Sequence, residues 1–191
     1  LAYYYLIDCF GKGVLATEEN FGQSTPLPEV TRTELYNYVE SELLAVEGLL
    51  PDTNSYGRAD KAAAQFLLAR LYMNAEVYTG SAQFANALSY AEKVITGSGH
   101  TLAPDFLQNF SGDNHTSPEI IFPLIADADV SQSYGNTTYI VKGSLSGETM
   151  TLSDYGATEG WGGHRASKGW YGLFAADAAG LAASSDKRAH L

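Results

Sequence analysis

The stretch Asp60-Lys-Ala-Ala-Ala-Gln-Phe-Leu-Leu-Ala-Arg-Leu-Tyr72 decides the fold class. Asp60 offers a side-chain oxygen to the first free N–H groups of a helix. The apolar residues that follow cover most of the helix circumference, and a helix apolar all round is buried between other elements. The pattern runs to about Tyr78, and Gly80 supplies the stop. Phe84, Leu88, Ala91 and Ile95 then recur at helical spacing and predict the inner face of a second helix, stopped by Gly97 and Gly99. A short turn between two such helices makes an antiparallel pair of the tetratricopeptide type, without that repeat's strict consensus.

The same logic works upstream. Thr31-Arg-Thr-Glu34 fits a capping box. Leu35, Val39, Leu43, Val46 and Leu50 follow on one helical face, which Pro51 ends. Residues 1–10 read as an apolar, tyrosine-rich helix ended by Gly11 and Gly13. Pro26 and Pro28 keep the next segment a loop.

Downstream of Gly97 the texture changes to scattered Gly, Ser, Thr and Pro. Residues 119–125 read as a short strand, placed at an edge by Pro123. Residues 137–142 read as another strand, and residues 166–174 as a short helix weakened by Gly169 and Gly172. The expected architecture is mostly α. Residues 1–99 form a helical, tetratricopeptide-like part, and residues 100–191 a loop-rich, weakly β, ligand-binding part.

Composition narrows the function. Charged residues are 17% of the chain, below the roughly 25% of ordinary domains. The polar surface must come from Ser, Thr, Asn, Gln, Gly and Tyr, as in secreted and cell-surface proteins. Acids outnumber bases 22 to 11, for a net charge of −11, which argues against a nucleic-acid partner. A lone Cys9 allows no internal disulfide and, set among Tyr, Leu, Ile and Phe, is expected to be buried. No apolar run is long enough to span a membrane. The chain lacks an initiator Met and opens inside an apparent helix, so it reads as a segment of a longer protein.

Catalytic signatures are missing. There is no His-Glu-x-x-His, no phosphate-binding loop and no Gly-x-Ser-x-Gly. The four histidines sit at no ligand-like spacing. No cofactor is implied. Asp127 and Asp129 with Asp113 and Asn114 carry the hard oxygens calcium prefers, although solvated loop residues are the plainer reading. Glu148, Asp154 and Glu159 are acids that a glycoside hydrolase would have to pair in a cleft, and nothing in the sequence pairs them.

The aromatic run is the stronger signal: Tyr134, Tyr139, Tyr155, Trp161, Trp170 and Tyr171. Trp161 lies between Gly160 and Gly162-Gly163, which favours an exposed ring on a flexible turn. Such a ring has a flat apolar face and a polar edge. A sugar uses both, laying its C–H groups on the face while polar side chains meet its hydroxyls. Tyr134 and Trp161 are the expected binding rings, with Asn136 and Asp154 near the hydroxyls. Trp170 and Tyr171 are expected to pack beneath the loops.

Several ordered motifs resemble the SusD-like (SusD/RagB) outer-membrane glycan-binding lipoproteins of Bacteroidetes, above all their starch-binding founding member. They are Tyr3-Tyr-Tyr-Leu-Ile-Asp8, Thr31-Arg-Thr-Glu-Leu-Tyr36, Gly57-Arg-Ala-Asp-Lys-Ala-Ala63, Leu68-Ala-Arg-Leu-Tyr72, Ala91-Glu-Lys-Val-Ile95, Glu119-Ile-Ile121 and Tyr134-Gly-Asn-Thr-Thr-Tyr139. The resemblance implies tetratricopeptide-like helix pairs, a lipid anchor at the cell surface, and a TonB-dependent transporter as partner. It implies sugar binding without catalysis, with an α-glucan as the expected ligand. The family's binding Tyr and Trp line up with Tyr134 and Trp161. The rival readings are a protein-interaction scaffold and a glycoside hydrolase.

Overall fold

A computed structural model describes the chain except residues 128, 131–135, 175–177, 187 and 189–191. The described elements are mostly α. In chain order they are α1 (Ala2–Phe10), β1 (Gly13–Val14), β2 (Glu29–Val30), α2 (Arg32–Glu47), α3 (Lys61–Met73), α4 (Ala75–Thr79), α5 (Phe84–Gly97), α6 (Asn136–Ser144), α7 (Lys168–Tyr171) and α8 (Ala178–Ala182). Short 3-10 turns lie at Phe106–Phe110, Asn114–Thr116 and Leu152–Tyr155. β1 and β2 pair antiparallel, Gly13 opposite Val30. The chain divides into two compact units, Leu1–Pro104 with His115–Pro123, and Asp105–Asn114 with Leu124–Leu191. Among the described residues no helix is long and apolar enough to cross a membrane.

In the first unit, the caps read from sequence are the caps observed. Thr31 and Glu34 close a reciprocal capping box, and the Asp60 carboxylate accepts the Ala63 N–H at 3.0 Å. The core joins Tyr4 and Ile7 of α1, Leu35, Tyr36 and Val39 of α2, Leu68, Leu71 and Tyr72 of α3, and Tyr78 of α4. Burying each such side chain fully stabilises the fold by about 1.5–3 kcal/mol. The tyrosine hydroxyls keep polar partners: Tyr78 donates to Asp8 at 2.6 Å, and Gln83 donates to the Tyr36 oxygen at 3.1 Å. His100 ties the segment after α5 back to this core, with Nε2 3.7 Å from Asp60 and Nδ1 3.3 Å from the Pro118 carbonyl.

Several expectations need correction. The apolar run from Asp60 is two helices, broken at Asn74, whose φ of −103° and ψ of 10° leave the α region. On α5 the buried residues are Ala87 and Val94, while Phe84, Leu88 and Ile95 face solvent, Ile95 at 76% exposure. The small side chains let α5 lie close against α3, so the large apolar stripe turns outward. Cys9 is exposed. It lies two residues beyond the buried Ile7 and five beyond the buried Tyr4, which at 100° per residue puts it nearly opposite their stripe.

Neither expected strand forms. Residues 119–125 have no regular structure. Pro123 has no N–H for a ladder, and the segment is held instead by the Glu119 carboxylate, which accepts the Ala103 N–H at 2.8 Å. Residues 137–142 lie in α6. Thr137, Thr138, Ile140 and Val141 lower helix propensity by only tenths of a kcal/mol each, and partners beyond the helix offset that. Among the described residues of the second unit, Ser146 and Trp161 form an isolated antiparallel bridge.

Candidate functional site

The candidate site is built on the C-terminal end of α6. The last carbonyls of a helix have no partner within it. Here the glycine-rich segment around Trp161 supplies the donors. The N–H of Trp161 donates to the Lys142 carbonyl at 2.7 Å, that of His164 to Gly143 at 2.8 Å, and that of Gly162 to Leu145 at 2.8 Å. Two glycines make this approach possible. A Cβ on Gly160 would stand 2.8 Å from the Leu145 carbonyl oxygen, and Gly162 has a φ of +58°, which side chains disfavour.

Trp161 is therefore not on a flexible turn, as its glycine neighbours suggest. Its backbone is held at both the bridge and the helix end. The residue is 39% exposed. The Lys142 ammonium lies over the indole, 5.7 Å from the centroid, and forms an ion pair with Glu159.

His164 locks the far side of the same segment. Its ring meets Tyr139 edge-on, centroids 4.6 Å apart. The Ser144 hydroxyl donates to the Ile140 carbonyl at 2.6 Å. Its hydrogen is thereby used, so the 3.1 Å contact to His164 Nδ1 is one in which the ring N–H donates. Arg165 adds hydrogen bonds to the carbonyls of His164, at 2.8 Å, and of Gly162.

Of the other expected site residues, Asp154 is exposed in the Leu152–Tyr155 turn. That turn comes close to the Trp161 segment around Gly147. A Cβ on Gly147 would lie 3.7 Å from the Gly160 carbonyl and 4.0 Å from Leu152 Cδ1. Asn136 is the first residue of α6. Tyr134 lies outside the described residues.

Trp170 and Tyr171 do not pack beneath loops. They are 56% and 39% exposed, because α7 has four residues and is too short to bury a face. Trp170 instead meets Phe174 edge-on, centroids 4.9 Å apart. The sequence pattern does not reveal that Lys142 and Glu159 stand beside Trp161, or that His164 meets Tyr139. Residues 137–142 were read as a strand, and only a helix end at Ser144 places its carbonyls under the glycine run.

Among the described residues no cluster of three or more His, Cys, Asp or Glu is able to hold a metal ion. Asp127 is turned to its own backbone, accepting the N–H groups of Asp129 and Val130 at 2.8 Å each. The first unit has an open cleft of about 380 Å³ lined by Asp52, Lys61, Gln65, Lys93 and Ser98. Its cations are already neutralised, Lys61 by Asp52 and Lys93 by Glu47.

No protein-family profile matches the chain. It is 40% identical over 167 residues to the starch-binding protein SusD of Bacteroides thetaiotaomicron, a match covering 84% of this chain and 29% of that protein. The chain thus spans less than a third of the relative it matches. A crystal structure of a SusD-like protein from Bacteroides fragilis superposes with a TM-score of 0.50 at 21% identity, over 63% of this chain and 24% of that one. That likeness speaks to fold alone. The chain belongs to the SusD-like family.

Proposed function

We propose that this chain contributes a noncatalytic binding surface for starch or a related α-glucan. In this reading the parent protein sits lipid-anchored on the bacterial outer membrane and passes the glycan to a TonB-dependent transporter. The observation that carries the reading is Trp161: a partly exposed indole whose backbone is anchored to a helix end, in a chain 40% identical to a starch-binding protein.

The chemistry is stacking. Pyranose C–H groups lie on the face of Trp161, and Tyr134 supplies a second ring. Asp154 and Asn136 take the hydroxyls. Each ring adds about 1 kcal/mol beyond area burial. A shallow open surface then gives micromolar to millimolar affinity, of order 4–8 kcal/mol, raised along a polymer by repeated contacts. A hydrolase reading is less well supported, because Glu159 is committed to Lys142.

Calorimetric titration of maltoheptaose and of unrelated glycans into the purified protein and its Trp161→Ala variant tests the proposal. The expected result is maltoheptaose binding that the variant loses. Equal binding by both proteins would sink it, as would no binding by either.

A further inference from the structure

Trp161 is partnered by a charged pair on one side. Lys142 sits in the last turn of α6. Its ammonium is over the indole at 5.7 Å, inside the roughly 6 Å reach of a cation–π contact. Glu159, two residues before the tryptophan, holds the same ammonium. Lys142 also accepts the Trp161 N–H on its own carbonyl, at 2.7 Å. One residue therefore holds both the backbone and the ring of Trp161, and Glu159 completes a closed loop of Lys142, Glu159 and Trp161.

We propose that Lys142, steered by Glu159, is a positioning residue for glycan binding: it covers one face of the Trp161 indole and presents the opposite face to the sugar. This deepens the glycan-binding reading and rests on it. An unanchored indole would have to give up rotamer freedom when a sugar stacks on it, a cost that recurs with each immobilised side chain at an interface. A ring already held by an ammonium has largely met that cost on folding. The neighbouring polar groups do not duplicate the role. His164 faces Tyr139 and Ser144, and Arg165 faces the carbonyls of Gly162 and His164.

The test compares Lys142→Met and Lys142→Arg, both in a Trp170→Phe background so that Trp161 is the sole tryptophan. Time-resolved fluorescence anisotropy reads ring mobility with no ligand present, and maltoheptaose titration reads affinity. Lys142→Met keeps the apolar stem and the backbone carbonyl but loses the charge. It is expected to loosen the indole and weaken maltoheptaose binding roughly three- to tenfold. Lys142→Arg is expected to restore both, and Glu159→Gln to give a smaller loss of the same kind. Unchanged anisotropy in Lys142→Met, or affinity within about twofold of the parent, overturns the proposal. So does a Lys142→Arg variant as weak as Lys142→Met. If Trp161→Ala abolishes binding while Lys142→Met leaves it intact, only this inference fails. If Trp161→Ala binds normally, or nothing binds maltoheptaose, the glycan-binding reading fails and this inference with it.

Discussion

The Trp161 N–H and the Lys142 carbonyl are joined by a hydrogen bond of 2.7 Å, which splices a glycine-rich loop onto the end of α6. A helix end and a loop each leave backbone groups unpaired, and here each satisfies the other. The consequence for function is a tryptophan whose direction is set by main chain as well as by packing.

Gly160 is the tight point of that splice. An added Cβ meets the Leu145 carbonyl oxygen at 2.8 Å and its carbon at 2.9 Å. Backbone atoms cannot swing aside as a side-chain tip can. Gly160→Ala is expected to destabilise the second unit by about 1–3 kcal/mol. Chemical denaturation followed by tryptophan fluorescence measures this, and Gly163→Ala, which meets nothing within 4 Å, serves as the control.

Thr31 carries a cap that a single substitution removes. Its hydroxyl oxygen accepts the Glu34 N–H at 3.3 Å, and the Glu34 carboxylate accepts the Thr31 N–H at 2.7 Å. Thr31→Ala is expected to cost about 1 kcal/mol. For a chain of this size that lowers Tm by roughly 2–4 °C, readable by calorimetry, with Thr31→Ser close to wild type.

Glu47 gives the first unit an acid-sensitive point. Burial alone would raise its carboxyl, but hydrogen bonds from Gln65, Lys93 and Tyr90 outweigh burial and hold it below the usual 4.5. A depressed carboxyl contributes stability above its unfolded value and loses it as pH falls through the folded one. Stability should therefore fall below about pH 4.5. Glu47→Gln should flatten that part of the pH–stability curve, measured by urea unfolding at stepped pH.

The buried tyrosines set the alkaline limit. Burial, then the Glu40 charge, pushes Tyr36 from 10.0 up to about 12. Burial also raises Tyr72 and Tyr78, aided by Glu40 and Asp8 respectively. The unfolded chain then releases these protons first, so stability is whole below pH 10 and drains away above it. Absorbance titration of tyrosinate should show a late fraction that joins the main transition once denaturant is added.

The helices of the first unit were legible because their signals are local. Thr31, Glu34 and Asp60 act on N–H groups three residues away, and Gly80 follows directly on α4. The stripe of Leu35 and Val39 is buried as its spacing predicts. Spacing did not say which side of α5 faces inward. Ala87 wins over Leu88 because close approach to α3 rewards a small side chain.

In the second unit the balance reverses. The β-branched run at 137–142 reads as strand on propensity, and it is helix because partners in the chain around residue 161 receive its end. Lys142 meets Glu159 across 17 residues and Ser144 meets His164 across 20. The sequence alone determined that this is a helical chain with aromatic rings in its second half, since caps, stops and periodicity act within a turn or two of backbone. Only the tertiary structure decided which way α5 faces, that residues 137–142 form a helix, and how Trp161 is held, because those outcomes depend on contacts between segments far apart along the chain.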